Sequence, residues 1–195
     1  YSADAPPAEE RLGQLIPTTF DRVLVLKAGA GYTALAASRR AGTVVAVESS
    51  PRLRQMLEFH LRLNGISNMV VRPGAEERAR YPLILAANLE QESLEATLRP
   101  AGGGENPQIR MLNKAVAYLA SGGRLLANVT VSLSAAEKME MQLREWLPAA
   151  AQRGVVLYET REWTTVDFAI AMLRGSGASG VTLEDYLDKL EKADS

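Results

Sequence analysis

The chain has 195 residues, 47% hydrophobic and 23% charged, with a formal net charge of −1. This is the profile of one globular domain with room for one full core, and a charge this near neutral argues against a large nucleic-acid footprint. With no cysteine and a single histidine, disulfides, thiolate metal sites, a cysteine nucleophile and a multi-histidine metal centre are excluded. No run approaches the roughly 20 apolar residues that span a bilayer. The opening residues YSADAPPAEERL lack the charged-then-apolar pattern of a signal peptide, so a cytoplasmic location is expected.

The first informative stretch runs from Arg22 to Pro51. Val23-Leu24-Val25-Leu26 is continuously apolar, as a strand covered on both faces requires. Gly29 and Gly31 follow and open a helix, in a position where glycines let backbone N–H groups approach a ligand. A second strand then ends at Glu48, where a carboxylate can accept both hydroxyls of an adenosine ribose. An adenosine-containing cofactor is the first expectation from the residues alone.

Further along, Ser49-Ser50-Pro51 starts a helix whose apolar residues Leu53, Met56, Leu57, Leu61 and Leu63 run to a stop at Asn64-Gly65. Met69 to Val71 reads as a third strand and Leu83 to Ala87 as a fourth. Glu90 to Leu98 has helical spacing, and the glycine-rich stretch around Gly102 to Gly104 reads as a loop. Another helix spans Ile109 to Leu119, and Arg124 to Val129 is a fifth strand. Ser134 with Glu137 has capping-box spacing for a helix to about Leu147, where Pro148 should end or kink it. Two strand-like runs, Val155 to Trp163 and Val166 to Leu173, lie so close in sequence that they must pair antiparallel. The tail 176–195 holds a short amphipathic helix, Leu183 to Lys192, beyond a domain expected to cover 1–175.

This order of elements resembles the class I S-adenosylmethionine-dependent methyltransferases, over about Leu12 to Arg174. The motifs that carry the resemblance are Val25-Leu26-Lys27-Ala28-Gly29-Ala30-Gly31 for the glycine loop, Glu48 for the ribose acid, Gly74-Ala75-Glu76 after the third strand, and Leu119-Ala120-Ser121-Gly122-Gly123-Arg124 before the fifth. The segment Gly122 to Gln142 is loosely similar to the corrin-ring methyltransferases of cobalamin biosynthesis. The resemblance implies a Rossmann-like α/β fold: a mostly parallel seven-stranded sheet with a C-terminal antiparallel hairpin and helices on both faces. It further implies S-adenosylmethionine as cofactor, with Lys27, Ala28, Gly29 and Gly31 at its methionine end. Glu48 and Ser49 would lie at the ribose, Ala75 and Glu76 at the adenine edge, and Asn88 would face the substrate. Tyr32 is a candidate for the methionine part, against simple packing on the next helix. No catalytic base and no metal is implied, because methyl transfer needs mainly positioning.

Three positions depart from that family's pattern. Val25 stands where an acid is usual, Lys27 where the first glycine is usual, and Ala75 where an adenine-contacting Asp is usual. A lysine about 6 Å from a sulfonium costs roughly 3 kcal/mol at an effective dielectric of 20, about a hundredfold in affinity, unless its ammonium reaches the cofactor's carboxylate instead. Ala86-Ala87-Asn88-Leu89 also lacks the Asn-Pro-Pro-aromatic motif used on planar nitrogens.

Three functions therefore stay open. The first is methyl transfer to a small-molecule or protein acceptor, and the second is a cofactor-free binding or scaffold subunit on the same fold. The third is a nicotinamide or flavin dinucleotide protein, since Gly29-Ala30-Gly31-Tyr32-Thr33-Ala34 matches G-x-G-x-x-A. No Tyr-x-x-x-Lys pair accompanies that match. A homo-oligomer and a subunit of a larger assembly are both compatible with the chain.

Overall fold

A computed structural model describes residues 12, 16, 20–90, 106–151, 153–161 and 165–174. Its elements are β1 (Phe20–Leu26), α1 (Tyr32–Ser38), β2 (Ala41–Val47), α2 (Pro51–Leu63), β3 (Met69–Arg72) and β4 (Tyr81–Glu90), followed by α3 (Pro107–Tyr118), β5 (Leu119–Ser132), α4 (Ala136–Ala150), β6 (Arg153–Arg161) and β7 (Thr165–Leu173). The strands lie in one sheet in the order β3-β2-β1-β4-β5-β7-β6. The pairs among β1 to β5 are parallel, and β7 runs antiparallel to both β5 and β6. The fold is therefore mixed α/β and Rossmann-like, mostly parallel, with an antiparallel C-terminal pair.

The apolar run of β1 is unbroken because its side chains serve two cores. Val23 and Val25 enter the core on the α1/α2 face with Ala34, Ala37, Leu57 and Leu61. Leu24 and Leu26 enter the other, with Ile109, Leu112, Met139, Leu143 and Trp146 from α3 and α4. β4 divides in the same way, Leu83 and Leu85 to the first core and Ile84 and Ala86 to the second. Each such side chain contributes about 1.5–3 kcal/mol on leaving water, and six of those on the two central strands, Val23, Leu24, Val25, Leu83, Ile84 and Leu85, are fully buried.

Sheet order places the site. From β1 the chain moves outward to β2 and β3, then returns to the other side of β1 as β4, so the connections leaving β1 and β4 diverge at the C-terminal edge. Ligands of open α/β sheets bind in that kind of crevice. β4 is longer than the expected Leu83 to Ala87, because its edge carries a bulge. Ala86 pairs with Ala127 and Leu89 with Val129, three steps on β4 against two on β5. Asn88 lies in that bulge, a feature found beside sites where a strand is re-aimed.

Two local expectations change. Helix α4 begins at Ala136 after a 3-10 turn over Leu133–Ala135, with Ala135 as N-cap and no side-chain cap bond. The capping box at Ser134 does not form, because the Ser134 hydroxyl bonds the Ser132 hydroxyl instead, at 3.1 Å. Pro148 sits within the last turn, and the helix continues two residues past it to Ala150. Helix α2 forms as its sequence requires, Ser50 capping Leu53 N at 3.4 Å with Pro51 in the first turn. Glu90 belongs to β4 rather than to a helix. The rest of that helical stretch (91–98), the loop Gly102 to Gly104, Trp163 and the tail helix Leu183 to Lys192 lie outside the described residues.

The connection from β3 to β4, residues 73–80, contains no helix. Ala75 and Ala79 pack from it onto the α3/α4 core. Arg22 stacks over the Tyr81 ring at 4.7 Å, and burial pushes the Tyr81 hydroxyl above its ordinary value while Arg22 pulls the other way. No described helix is long and apolar enough to cross a membrane.

Candidate ligand site at the strand ends

The loop between β1 and α1 is built on left-handed backbone: Lys27 has φ 50, Gly29 φ 54 and Gly31 φ 102. It is held in that shape by its own amides. Ala28 N donates to Val47 O at 3.0 Å and Gly31 N to Ala28 O at 2.8 Å. Gly29 N donates to Glu48 Oε2 at 2.9 Å. Among the amides that glycines were expected to offer a ligand, those of residues 28, 29 and 31 are thus engaged within the protein.

Glu48 is the centre of the arrangement. It stands at the end of β2 and is 7% exposed. Its Oε2 holds the loop through Gly29, while its Oε1 accepts Ser50 N at 2.8 Å at the start of α2. A carboxylate has about four acceptor sites, so two remain for ligand hydroxyls after these bonds. One side chain therefore joins the ends of β1 and β2 with acceptor capacity to spare.

Helix α2 supports this from behind. Arg54 Nη1 donates to Glu48 O at 2.8 Å and to Ser49 O at 2.6 Å. At the next turn but one, His60 Nδ1 lies 2.9 Å from Ala30 O. A carbonyl can only accept, so the imidazole carries its proton on Nδ1 here. Nothing in the sequence around His60 marks it for this support. Its half-buried position under the loop could not be read from a pair thirty residues apart. Replacing His60 by leucine is expected to lower stability by about 1 kcal/mol, the net worth of one hydrogen bond, whereas His60→Asn, whose Nδ2 mimics Nδ1, should retain most of it. Urea denaturation of the two variants checks this, and equal losses would remove the hydrogen bond as the cause.

Of the residues singled out from the sequence, Lys27, Gly29, Tyr32, Glu48 and Ser49 come together around this loop. Lys27 and Ser49 are exposed, and Tyr32 is 62% exposed. Ala28 is buried and faces the α1/α2 core. Gly31 serves packing, since a Cβ there would stand 2.4 Å from Leu57 Cδ1. Asn88 lies across the crevice on β4, whose Ala86 pairs with Leu26 of β1, about 5 Å away by strand spacing. Ala75 packs on the core, and Glu76 is engaged by Arg72 and, at 3.5 Å, by Arg22. Val25 is fully buried, so the position usual for an acid is here part of the core.

No protein-family model matches the chain, and no curated protein matches it in sequence. Solved structures do match. Trm5b from Pyrococcus abyssi superposes with TM-score 0.63 at 17% identity, over 85% of this chain and 48% of that one, so the chain spans about half the length of that protein. TYW2 from M. jannaschii, solved in complex with AdoMet, gives 0.57 at 17% identity, over 85% of this chain and 75% of its own. A precorrin 8w decarboxylase from Methanobacterium thermoautotrophicum gives 0.55 at 17% identity, over 88% and 93%. The chain has the fold of the class I S-adenosylmethionine-dependent methyltransferases.

Proposed function

We propose that the chain binds S-adenosylmethionine and directs methyl transfer to a small-molecule or protein acceptor. The observation that carries this is Glu48, a buried carboxylate at the end of β2 whose orientation is fixed by Gly29 N–H and Ser50 N–H and which keeps acceptor capacity for a ribose diol. Bound there, the cofactor supplies an electrophilic methyl group on a sulfonium.

The chain's own part is orientation. Glu48 would hold the ribose, with Ser49 beside it and Ala75 toward the adenine edge. Lys27, Gly29 and Tyr32 would face the amino-acid end, and Asn88, in the bulge of β4, would face the acceptor. Orienting two reactants supplies several kcal/mol of rate enhancement without a catalytic base. The adenine-edge role for Glu76 competes with its engagement by Arg72 and Arg22.

A cofactor-free binding or scaffold subunit is the second reading, favoured by Val25. Fully buried among apolar neighbours, it offers nothing to a ligand's ammonium. A dinucleotide ligand draws less support, because pyrophosphate needs converging backbone N–H groups and those of Ala28, Gly29 and Gly31 are already engaged.

Calorimetric titration with S-adenosylmethionine and S-adenosylhomocysteine separates the two. Saturable micromolar binding is expected. No heat and no thermal shift at millimolar ligand would overturn the methyltransferase reading in favour of the scaffold.

A further inference from the structure

We infer that Lys27 selects the ligand by its anionic arm, its ammonium pairing with the carboxylate at the amino-acid end of the adenosine ligand. The inference rests on the adenosine site proposed above and adds to it a charge-based specificity. Lys27 adopts φ 50, a conformation that favours glycine and disfavours a long side chain. Strained non-glycine residues of this kind persist mostly at functional positions.

The Lys27 side chain takes no polar part in the fold among the described residues. It is exposed, and among the described residues it makes no hydrogen bond and no ion pair, not even with the carboxylate of Glu48 close by in the loop's own network. Glu48 is instead satisfied by two backbone N–H groups. The loop therefore presents acceptors at Glu48 and one uncompensated cation at Lys27.

Three of the backbone donors that would hold an anion at a glycine loop are taken up within the protein. Ala28 N–H points to Val47 O, Gly29 N–H to Glu48 and Gly31 N–H to Ala28 O. With those three donors engaged, the Lys27 ammonium, on a flexible four-carbon stem, is the charged donor that the loop itself offers an anion. The buried Val25 beneath supplies no counter-charge. A ligand complementary to this pattern carries a diol at one end and a carboxylate at the other. A lone ammonium suits a carboxylate better than a pyrophosphate, which calls for several donors at once.

The test is calorimetric titration of the intact protein with two probes, S-adenosylhomocysteine and 5′-methylthioadenosine, the second having the same nucleoside and thioether without the amino-acid arm. Wild type is expected to prefer S-adenosylhomocysteine. Lys27→Met should weaken that ligand at least tenfold and leave 5′-methylthioadenosine unchanged, while Lys27→Arg should restore most of the difference. Unchanged or tighter S-adenosylhomocysteine binding by Lys27→Met would overturn the inference, showing instead a side chain that obstructs the site. Parallel weakening of both probes would also overturn it, marking a structural role. Wild-type protein that binds neither probe would overturn the adenosine reading itself and this inference with it.

Discussion

Replacing Glu48 by alanine is expected to weaken S-adenosylhomocysteine binding at least a hundredfold and to destabilise the protein by about 2–3 kcal/mol. Both effects come from one carboxylate. In the folded protein it accepts Gly29 N–H at 2.9 Å and Ser50 N–H at 2.8 Å, and each such charge-assisted bond contributes roughly 1.5–3 kcal/mol. The lower end applies, because Gly29 and Ser50 are only partly buried and water can replace part of what is lost. The ligand loses its ribose acceptor outright and also meets a loop no longer held in shape. Glu48→Gln separates the contributions: its one oxygen can serve only one of the two N–H groups, so a stability loss of about half is expected. Calorimetry and urea denaturation on the same samples read both quantities. An alanine variant that is as stable as wild type would refute the bracing role, and one that binds normally would refute the ribose role.

Gly31→Ala is expected to cost about 3 kcal/mol of stability. The backbone at Gly31 has φ 102, and an added Cβ would lie 2.4 Å from Leu57 Cδ1. Left-handed backbone in an alanine costs about 1–2 kcal/mol, and forcing a methyl group into a packed core about 1–3. Leu57 is fully buried, so it cannot simply swing into solvent. Leu57→Ala alone should cost about 2–5 kcal/mol by opening a cavity. The double variant should lose at least 1 kcal/mol less than the sum, because the cavity accepts the new methyl group. Strict additivity in urea denaturation would show that backbone strain alone, without the Leu57 clash, makes glycine necessary.

Several parts of this molecule are legible from residue order because the responsible interactions are local. Four consecutive apolar residues at Val23 to Leu26 announce a strand covered on both faces, and the two cores found on either side are why no polar alternation appears. Ser50-Pro51 and Asn64-Gly65 announce the ends of α2, since capping and left-handed stops act within one turn. Glu48 is recognisable as an acid at a strand end after a glycine turn. The short link before Val166 requires an antiparallel pair whatever the rest of the chain does.

Other features depend on which distant groups meet. The Ser134-x-x-Glu137 spacing is a sound cap signal, yet Ser132 takes the hydroxyl and the helix starts later. The glycine loop looked like a cradle of free N–H groups until β2 and Glu48 were placed beside it. His60 shows no sign in sequence of supporting Ala30, and Glu76 none of meeting Arg22. Asn88 follows the fourth strand expected from the sequence, and the pairing of β4 with β5 puts it inside a bulge.

The sequence by itself determined the fold class, the order of strands and helices, and the neighbourhood of Lys27 to Gly31 and Glu48, because periodicity, caps and turns are properties of short stretches of chain. Only the tertiary structure decided how that neighbourhood is wired: that three of the loop's amides are bonded within the protein, that Glu48 braces two strand ends, and that Lys27 is exposed with no ion pair among the described residues. The deciding bonds, Ala28 N to Val47 O and Gly29 N to Glu48, join groups 19 residues apart, whose partners are chosen by sheet order rather than by their neighbours in the chain.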